Sequence, residues 1–168
     1  GWDKVVWDAT PLETPDGPAV KLTYLSKDGE EGFPGNVKAT TTYTLTNDNQ
    51  LRVEMTATTD KATPLNMCHH TYWNMHAAAK GGPTGNILDH QLMLHAASFT
   101  PGLPPDGTVK PVAGMPFDFT KAKPIGKDLK AAGSPGMDAP IGYDQNWIVD
   151  GDPNALRPVA KLKEPKSG

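Results

Sequence analysis

The chain has 168 residues, a net charge of −3 and 37% hydrophobic residues, and this length fits one domain that can bury a core. The lysines are scattered without a basic patch, which excludes a nucleic-acid-binding class, and no apolar run approaches the ~20 residues of a membrane span. The single cysteine, Cys68, excludes an internal disulfide and favours a reducing compartment.

The first predicted elements are strands, because apolar and polar side chains alternate along the chain. Val20, Leu22 and Tyr24 alternate with polar neighbours and predict a half-buried strand. A loop rich in turn residues follows at residues 26–35. Alternation then predicts strands over residues 37–45 and 51–57, joined by a hairpin loop at residues 47–49.

The later part of the chain has shorter and less regular patterns. Residues 100–118 hold five prolines and three glycines and predict an extended, turning segment. One or two helical turns are predicted within residues 125–132, and short strands are predicted at residues 91–95, 147–149 and 157–163. Because no helical period lasts three turns, we expect an all-β sandwich that forms one domain over residues 1–168.

Two adjacent histidines, His69 and His70, lie in the polar and aromatic segment of residues 66–75. A histidine exchanges protons near neutral pH and is therefore a good general acid or base. Adjacent side chains on an extended strand point to opposite faces, so one imidazole can face a cleft while the other packs or meets solvent. The alternative is that His70 is satisfied by a backbone hydrogen bond at a sheet edge.

Aromatic residues and a carboxylate provide candidate sugar contacts. Tyr72 and Trp73 could form a stacking floor for a pyranose ring, although core packing explains such rings equally well. Asp144 is flanked by aromatic and amide side chains and is a good acceptor for sugar hydroxyls. Its alternative is an ordinary turn residue after Gly142.

A metal site is the competing use of the histidines. It would draw its ligands from six residues: His69, His70, His76, Asp89, His90 and His95. Neither the pair at 69–70 nor the Asp89-His90 pair has the i, i+4 spacing that converges ligands on a helix, and Cys68 has no partner. The sequence therefore predicts no metal ligand.

Taken together, these motifs resemble the aldose 1-epimerase, or galactose mutarotase, family. The matching segments are collinear and run the length of the chain: Gly1–Trp7, Ser26–Gly35, Thr63–Asn74, Asp89-His90, Thr100-Pro101, Gly114–Phe119 and Gly142–Asp144. The resemblance implies a large antiparallel β-sandwich of the galactose-mutarotase type and the interconversion of α and β anomers of free aldohexoses without a cofactor. It assigns the acid to His70 and the binding of sugar hydroxyls to Asp144.

The chain departs from the family pattern at a few positions. Cys68-His69 stands where the family has Thr-Asn, and Met75 replaces a leucine. The family's catalytic glutamate has no match here, since Glu164 lies before the expected position and in another context. We therefore expect a domain that is partial at both ends, a longer native chain, and self-association through exposed sheet edges.

Three functions remain open at this point. The first is a sugar 1-epimerase, and the second is a catalytically inactive carbohydrate-binding sandwich. The third is epimerisation of a phosphorylated hexose, which is disfavoured because Arg52 and Arg157 are far apart in the sequence. The expected location is the cytoplasm, with an extracellular one as the alternative if a signal segment precedes the chain.

Overall fold

The computed structural model describes residues 1–78, 85–101, 108–132 and 142–166. It is built from antiparallel strands and short 3-10 turns, which confirms the predicted all-β class. The chain divides into two compact units, Gly1–Thr71 and Tyr72–Gly168, and the single domain over residues 1–168 stays a prediction. In the described ranges, no helix is long and apolar enough to cross a membrane.

The first unit is a four-stranded antiparallel sheet in which each strand pairs with the next along the chain. Its strands are β1 (Asp8–Thr14), β2 (Gly17–Ser26), β3 (Val37–Leu45) and β4 (Leu51–Thr59), with 3-10 turns at Trp2–Lys4 and Glu30–Gly32. The predicted strands β2, β3 and β4 are confirmed. Strand β1 was not predicted, because Pro11 and two acidic residues interrupt its apolar pattern.

The predicted hairpin loop between β3 and β4 is confirmed. The Thr46 backbone N–H donates to the carbonyl oxygen of Gln50 over 2.9 Å, and the Thr46 hydroxyl accepts the Gln50 N–H over 3.0 Å. Asn49 has a φ of 64°, a conformation that asparagine tolerates better than most residues. These bonds close the turn and keep β3 and β4 in register.

The loop between β2 and β3 is tied to the end of β4. The Asp28 carboxylate accepts the Gly35 N–H over 2.6 Å and pairs with Lys61. Asn36 donates to the Asp60 carboxylate from its backbone N–H (2.8 Å) and from its side-chain amide (2.7 Å). The chain that leaves β4 therefore begins from a well-anchored point.

The second unit has two three-stranded antiparallel sheets of short strands. In the first sheet, β5 (Gln91–Leu94) lies between β10 (Ala160–Lys163) and β8 (Lys123–Pro124). In the second, β6 (Ser98–Thr100) lies between β7 (Lys110–Pro111) and β9 (Asn146–Ile148), and 3-10 turns occur at Met75–Ala78 and Ile125–Asp128. The strands predicted at β5, β9 and β10 and the turn at Ile125 are confirmed.

Aromatic rings form the core of the second unit. Phe119 is 1% exposed and meets the Tyr143 ring edge-on at a centroid distance of 5.0 Å and the Trp147 ring at 6.3 Å. The Lys123 ammonium lies 4.6 Å from the Phe119 ring centroid, a cation–π contact. Phe99, also buried, packs edge-on against Phe117.

Candidate functional site

The predicted acid, His70, lies on the extended segment that follows β4. Residues 62–71 have no regular secondary structure, so the side chains are placed by contacts with their surroundings and not by a sheet ladder. The His70 side chain is exposed and does not pack inside its unit. An exposed imidazole is accessible to a substrate, and the role of His70 stays a prediction.

The neighbouring histidine is held differently. The His69 ring meets the Tyr43 ring of β3 edge-on at a centroid distance of 5.6 Å, and its Nε2 lies 2.8 Å from the Thr71 hydroxyl. His69 is thus tied to the sheet of the first unit and to its own segment.

The two predicted stacking residues are both exposed to solvent. Tyr72 is 87% exposed and Trp73 is 53% exposed, so neither ring belongs to the core of the second unit. The core-packing alternative for these two residues is therefore disfavoured.

Asp144 lies between two anchored aromatic residues of the second unit. The Tyr143 hydroxyl donates to the Ile125 carbonyl oxygen over 2.8 Å, and the Trp147 ring N–H donates to the Phe117 carbonyl oxygen over 3.2 Å. Burial raises the pKa of the Tyr143 hydroxyl, with a further contribution from the Asp128 charge. Asp144 itself is exposed, so its carboxylate is accessible on a firmly held stretch of backbone.

A second group of titratable residues lies inside the second unit, and we call it the polar cluster: His76, Asp89, His90 and Glu164. His90 is 0% exposed and Glu164 is 3% exposed. The two imidazole rings meet edge-on at a centroid distance of 4.8 Å. Sequence patterns predicted neither this packing nor the burial of Glu164.

Carboxylates surround His76 within the polar cluster. His76 Nε2 lies 3.0 Å from Asp89 Oδ1, and His76 Nδ1 lies 3.7 Å from Glu164 Oε1. Both carboxylate oxygens of Glu164 also accept the Lys166 backbone N–H, over 3.0 and 3.1 Å. The hydrogen bond with His76 is the main cause that lowers the pKa of Asp89, and burial opposes it.

The polar cluster has the composition of a metal site, but its hydrogen bonds do not fit one. Atoms of His76, Asp89 and His90 lie within 4.8 Å of one another. However, the Met75 backbone N–H donates to His90 Nε2 over 3.0 Å, so the proton of a neutral His90 ring is on Nδ1. The Nε2 lone pair is then engaged by the Met75 N–H and Nδ1 carries a proton, so neither nitrogen of His90 is open to a metal ion.

One open cavity of about 580 Å³ lies elsewhere in the second unit, between Gly114 and Asp128. Its lining residues include Lys123 and Lys127 but none of the four predicted site residues. Lys123 is already bonded to the Asp128 carboxylate over 2.7 Å. This cavity therefore does not bring the four predicted site residues together, and their roles stay predictions.

The predicted family resemblance is confirmed by comparison with known sequences. A family model described as aldose 1-epimerase matches residues 1–168. The aldose 1-epimerase of Haemophilus influenzae is 36% identical over 154 residues, which cover 89% of this chain and 42% of that protein. Human galactose mutarotase is 39% identical over 155 residues, which cover 90% of this chain and 41% of that protein.

Solved structures give the same answer for the fold. The galactose 1-epimerase of Lactobacillus acidophilus superposes with a TM-score of 0.78 at 33% identity, over 96% of this chain and 46% of that chain. A GalM/aldose epimerase homologue from C. elegans has a TM-score of 0.73 at 24% identity. The predicted galactose-mutarotase-type fold is therefore confirmed, and the chain spans less than half the length of these relatives.

Proposed function

The chain belongs to the aldose 1-epimerase family, and we propose that the protein built on it interconverts the α and β anomers of free aldohexoses such as glucose or galactose. The observation that carries this proposal is the exposed imidazole of His70, in the segment that matches the family's acid histidine. The names of the curated relatives, aldose 1-epimerase and galactose mutarotase, support it.

In the proposed reaction, His70 donates a proton to the ring oxygen of the pyranose while a base removes the proton of the anomeric hydroxyl. The bond between C1 and the ring oxygen then breaks and leaves an open-chain aldehyde. Rotation about the C1–C2 bond exposes either face of the aldehyde, and closure of the ring returns the borrowed protons. No electrons are gained or lost, so these steps require only an acid and a base.

We propose that three side chains of the second unit bind the sugar. Tyr72 and Trp73 stack on the apolar C–H face of the pyranose, because both rings are exposed. The exposed Asp144 carboxylate accepts hydrogen bonds from sugar hydroxyls. The base is the glutamate that the resemblance assigns to the family, which has no match among the residues of this chain.

Two further expectations belong to this proposal. The free, exposed thiol of Cys68 supports a reducing compartment such as the cytoplasm. Strands β1 and β4 are the outer strands of the first sheet, and unpaired edges of this kind support self-association. Light scattering over a range of protein concentrations tests the second expectation.

Polarimetry on freshly dissolved α-glucose and α-galactose tests the proposal, using the full-length protein. We expect acceleration over the buffer rate, and we expect His70→Ala to lower kcat on the order of 10²–10⁴-fold. His69→Ala is the matched control, since it removes an adjacent exposed histidine that is held against Tyr43, and it should change kcat only a few-fold. A His70→Ala variant with the wild-type rate would refute the role of His70. Sugar binding without acceleration would instead identify an inactive binding module.

A further inference from the structure

We propose that His90 is a positioning residue that fixes the backbone behind the exposed rings of Tyr72 and Trp73. This inference rests on the proposed function. The inference depends on the hydrogen bond that the Met75 backbone N–H donates to His90 Nε2 over 3.0 Å. Met75 directly follows Trp73-Asn74, so this bond holds the chain at the point where the exposed segment enters the unit.

His90 is itself held in place by burial and by hydrogen bonds of its backbone. Its side chain is 0% exposed, its backbone N–H donates to the Ile87 carbonyl oxygen over 3.1 Å, and its carbonyl oxygen accepts the Ile125 N–H over 3.0 Å. The residue immediately precedes β5. A fully buried side chain with its backbone bonded at both groups is a rigid support for Met75.

The hydrogen bond also selects one tautomer of His90. Because Nε2 accepts a hydrogen bond from the Met75 N–H, the neutral ring must carry its proton on Nδ1. That nitrogen faces Asp89 Oδ1 at 3.4 Å, a distance and direction that leave it without a formed hydrogen bond. The carboxylate still favours the N–H on that side of the ring, so Asp89 supports the tautomer that holds Met75.

The residues next to Met75 are fixed by the same cluster. The His76 backbone N–H donates to the side-chain oxygen of Asn74 over 3.0 Å, and the Asn74 amide donates to the Gly85 carbonyl oxygen over 3.3 Å. The His76 ring packs on the His90 ring and lies between the carboxylates of Asp89 and Glu164. Three consecutive residues behind Trp73, at positions 74 to 76, are thus each held by a hydrogen bond.

The tautomer of His90 can be measured in the unmodified full-length protein. Long-range ¹H–¹⁵N NMR correlations distinguish a protonated from an unprotonated ring nitrogen. We expect His90 to carry its proton on Nδ1 at neutral pH, with Nε2 unprotonated. A proton on Nε2 would overturn the proposal, and so would a change at both histidine rings on addition of one equivalent of Zn²⁺, since it would identify a metal site.

Two variants test the consequence for the sugar site. The side-chain amide of His90→Gln can place an acceptor near the position of Nε2, whereas His90→Asn is shorter and reaches only the position of Nδ1. We expect His90→Gln to keep slow hydrogen exchange at the Met75 amide and a KM close to wild type. We expect His90→Asn to speed that exchange and raise KM about tenfold, with a smaller change in kcat.

Equal behaviour of the two variants, in exchange and in KM, would overturn the positioning role. If the wild-type protein does not accelerate mutarotation, the proposed function fails, while Met75 exchange in the two variants still decides whether His90 holds this segment. If His90→Asn does not fold, the tautomer in the wild-type protein remains the deciding measurement.

Discussion

The two units of the chain are stabilised in different ways. The first unit has strands of seven to ten residues in a continuous ladder, and its buried side chains include hydroxyl groups such as Thr41 and Thr44. The second unit has strands of two to four residues and buries Phe99, Phe119 and His90. The comparison indicates that backbone geometry supports the first unit, whereas a few large side chains support the second.

Loss of one core ring should affect the second unit most. We expect Phe119→Ala to lower the free energy of unfolding by about 3–5 kcal/mol, because it removes a buried ring and leaves a cavity beside Tyr143 and Trp147. Phe33→Ala is the control in the first unit, since Phe33 is 53% exposed, and it should change stability by only about 0.5 kcal/mol. Equal losses in the two variants, measured by urea unfolding, would contradict the comparison.

A backbone substitution should affect the first unit next most strongly. Gly17 has a φ of 140°, and a Cβ there would lie 2.2 Å from the Leu45 carbonyl oxygen. We expect Gly17→Ala to destabilise the protein by about 3 kcal/mol, from strain and from the clash with backbone. Gly29 has a φ of 88°, and a Cβ added there would meet no atom within 4 Å. Gly29→Ala is therefore the control, because its backbone strain alone should cost about 1 kcal/mol. Urea unfolding measures both variants. Equal free energies of unfolding would show that the backbone moves to remove the clash at Gly17 without cost.

The exposed ring of Trp73 should matter for the substrate and little for the fold. We expect Trp73→Ala to raise KM about tenfold, which corresponds to about 1.4 kcal/mol, with an unchanged melting temperature. Phe33→Ala removes a ring of the same 53% exposure from the first unit and should leave KM unchanged. Polarimetric initial rates over a range of sugar concentrations measure both, and a similar KM for the two variants would remove Trp73 from the proposed site.

The smallest expected effect is on the stability of the fold at low pH. Lys61 and then the Gly35 N–H lower the pKa of Asp28, and the Asn36 side chain and backbone lower that of Asp60. A carboxylate with a lowered folded-state pKa stabilises the fold above its ordinary pKa of about 3.9, and this contribution is lost as pH falls through the folded-state pKa.

Melting temperatures measured from pH 7 down to pH 2 test this point. We expect the wild-type melting temperature to fall below about pH 4, and Asp28→Asn to start lower at neutral pH and to fall less steeply. Lys61→Met should reduce the acid dependence in the same direction, because it removes the partner that lowers the pKa. Identical acid profiles in all three proteins would show that the Asp28 anchor does not stabilise the fold.

Prediction from sequence succeeded where strand pairing is local. β2, β3 and β4 follow one another through short connections, and alternation of side chains marks each of them. β1 was not predicted because it contains Pro11. A proline is tolerated on an outer strand, where its missing N–H is not needed for pairing. β6, β7 and β8 have only two or three residues each, too few for alternation to be recognised.

The chain's sequence alone determined its all-β class, its central hairpin and its place in the aldose 1-epimerase family, because these depend on residue types at short and regular spacings. The surroundings of the histidines depended on tertiary structure. His76 meets Glu164 from the far end of the chain, and His90 accepts a hydrogen bond from a residue fifteen positions earlier. Such contacts form only when distant segments pack together and exclude water, so no local pattern of residues could have separated the buried His90 from the exposed His70.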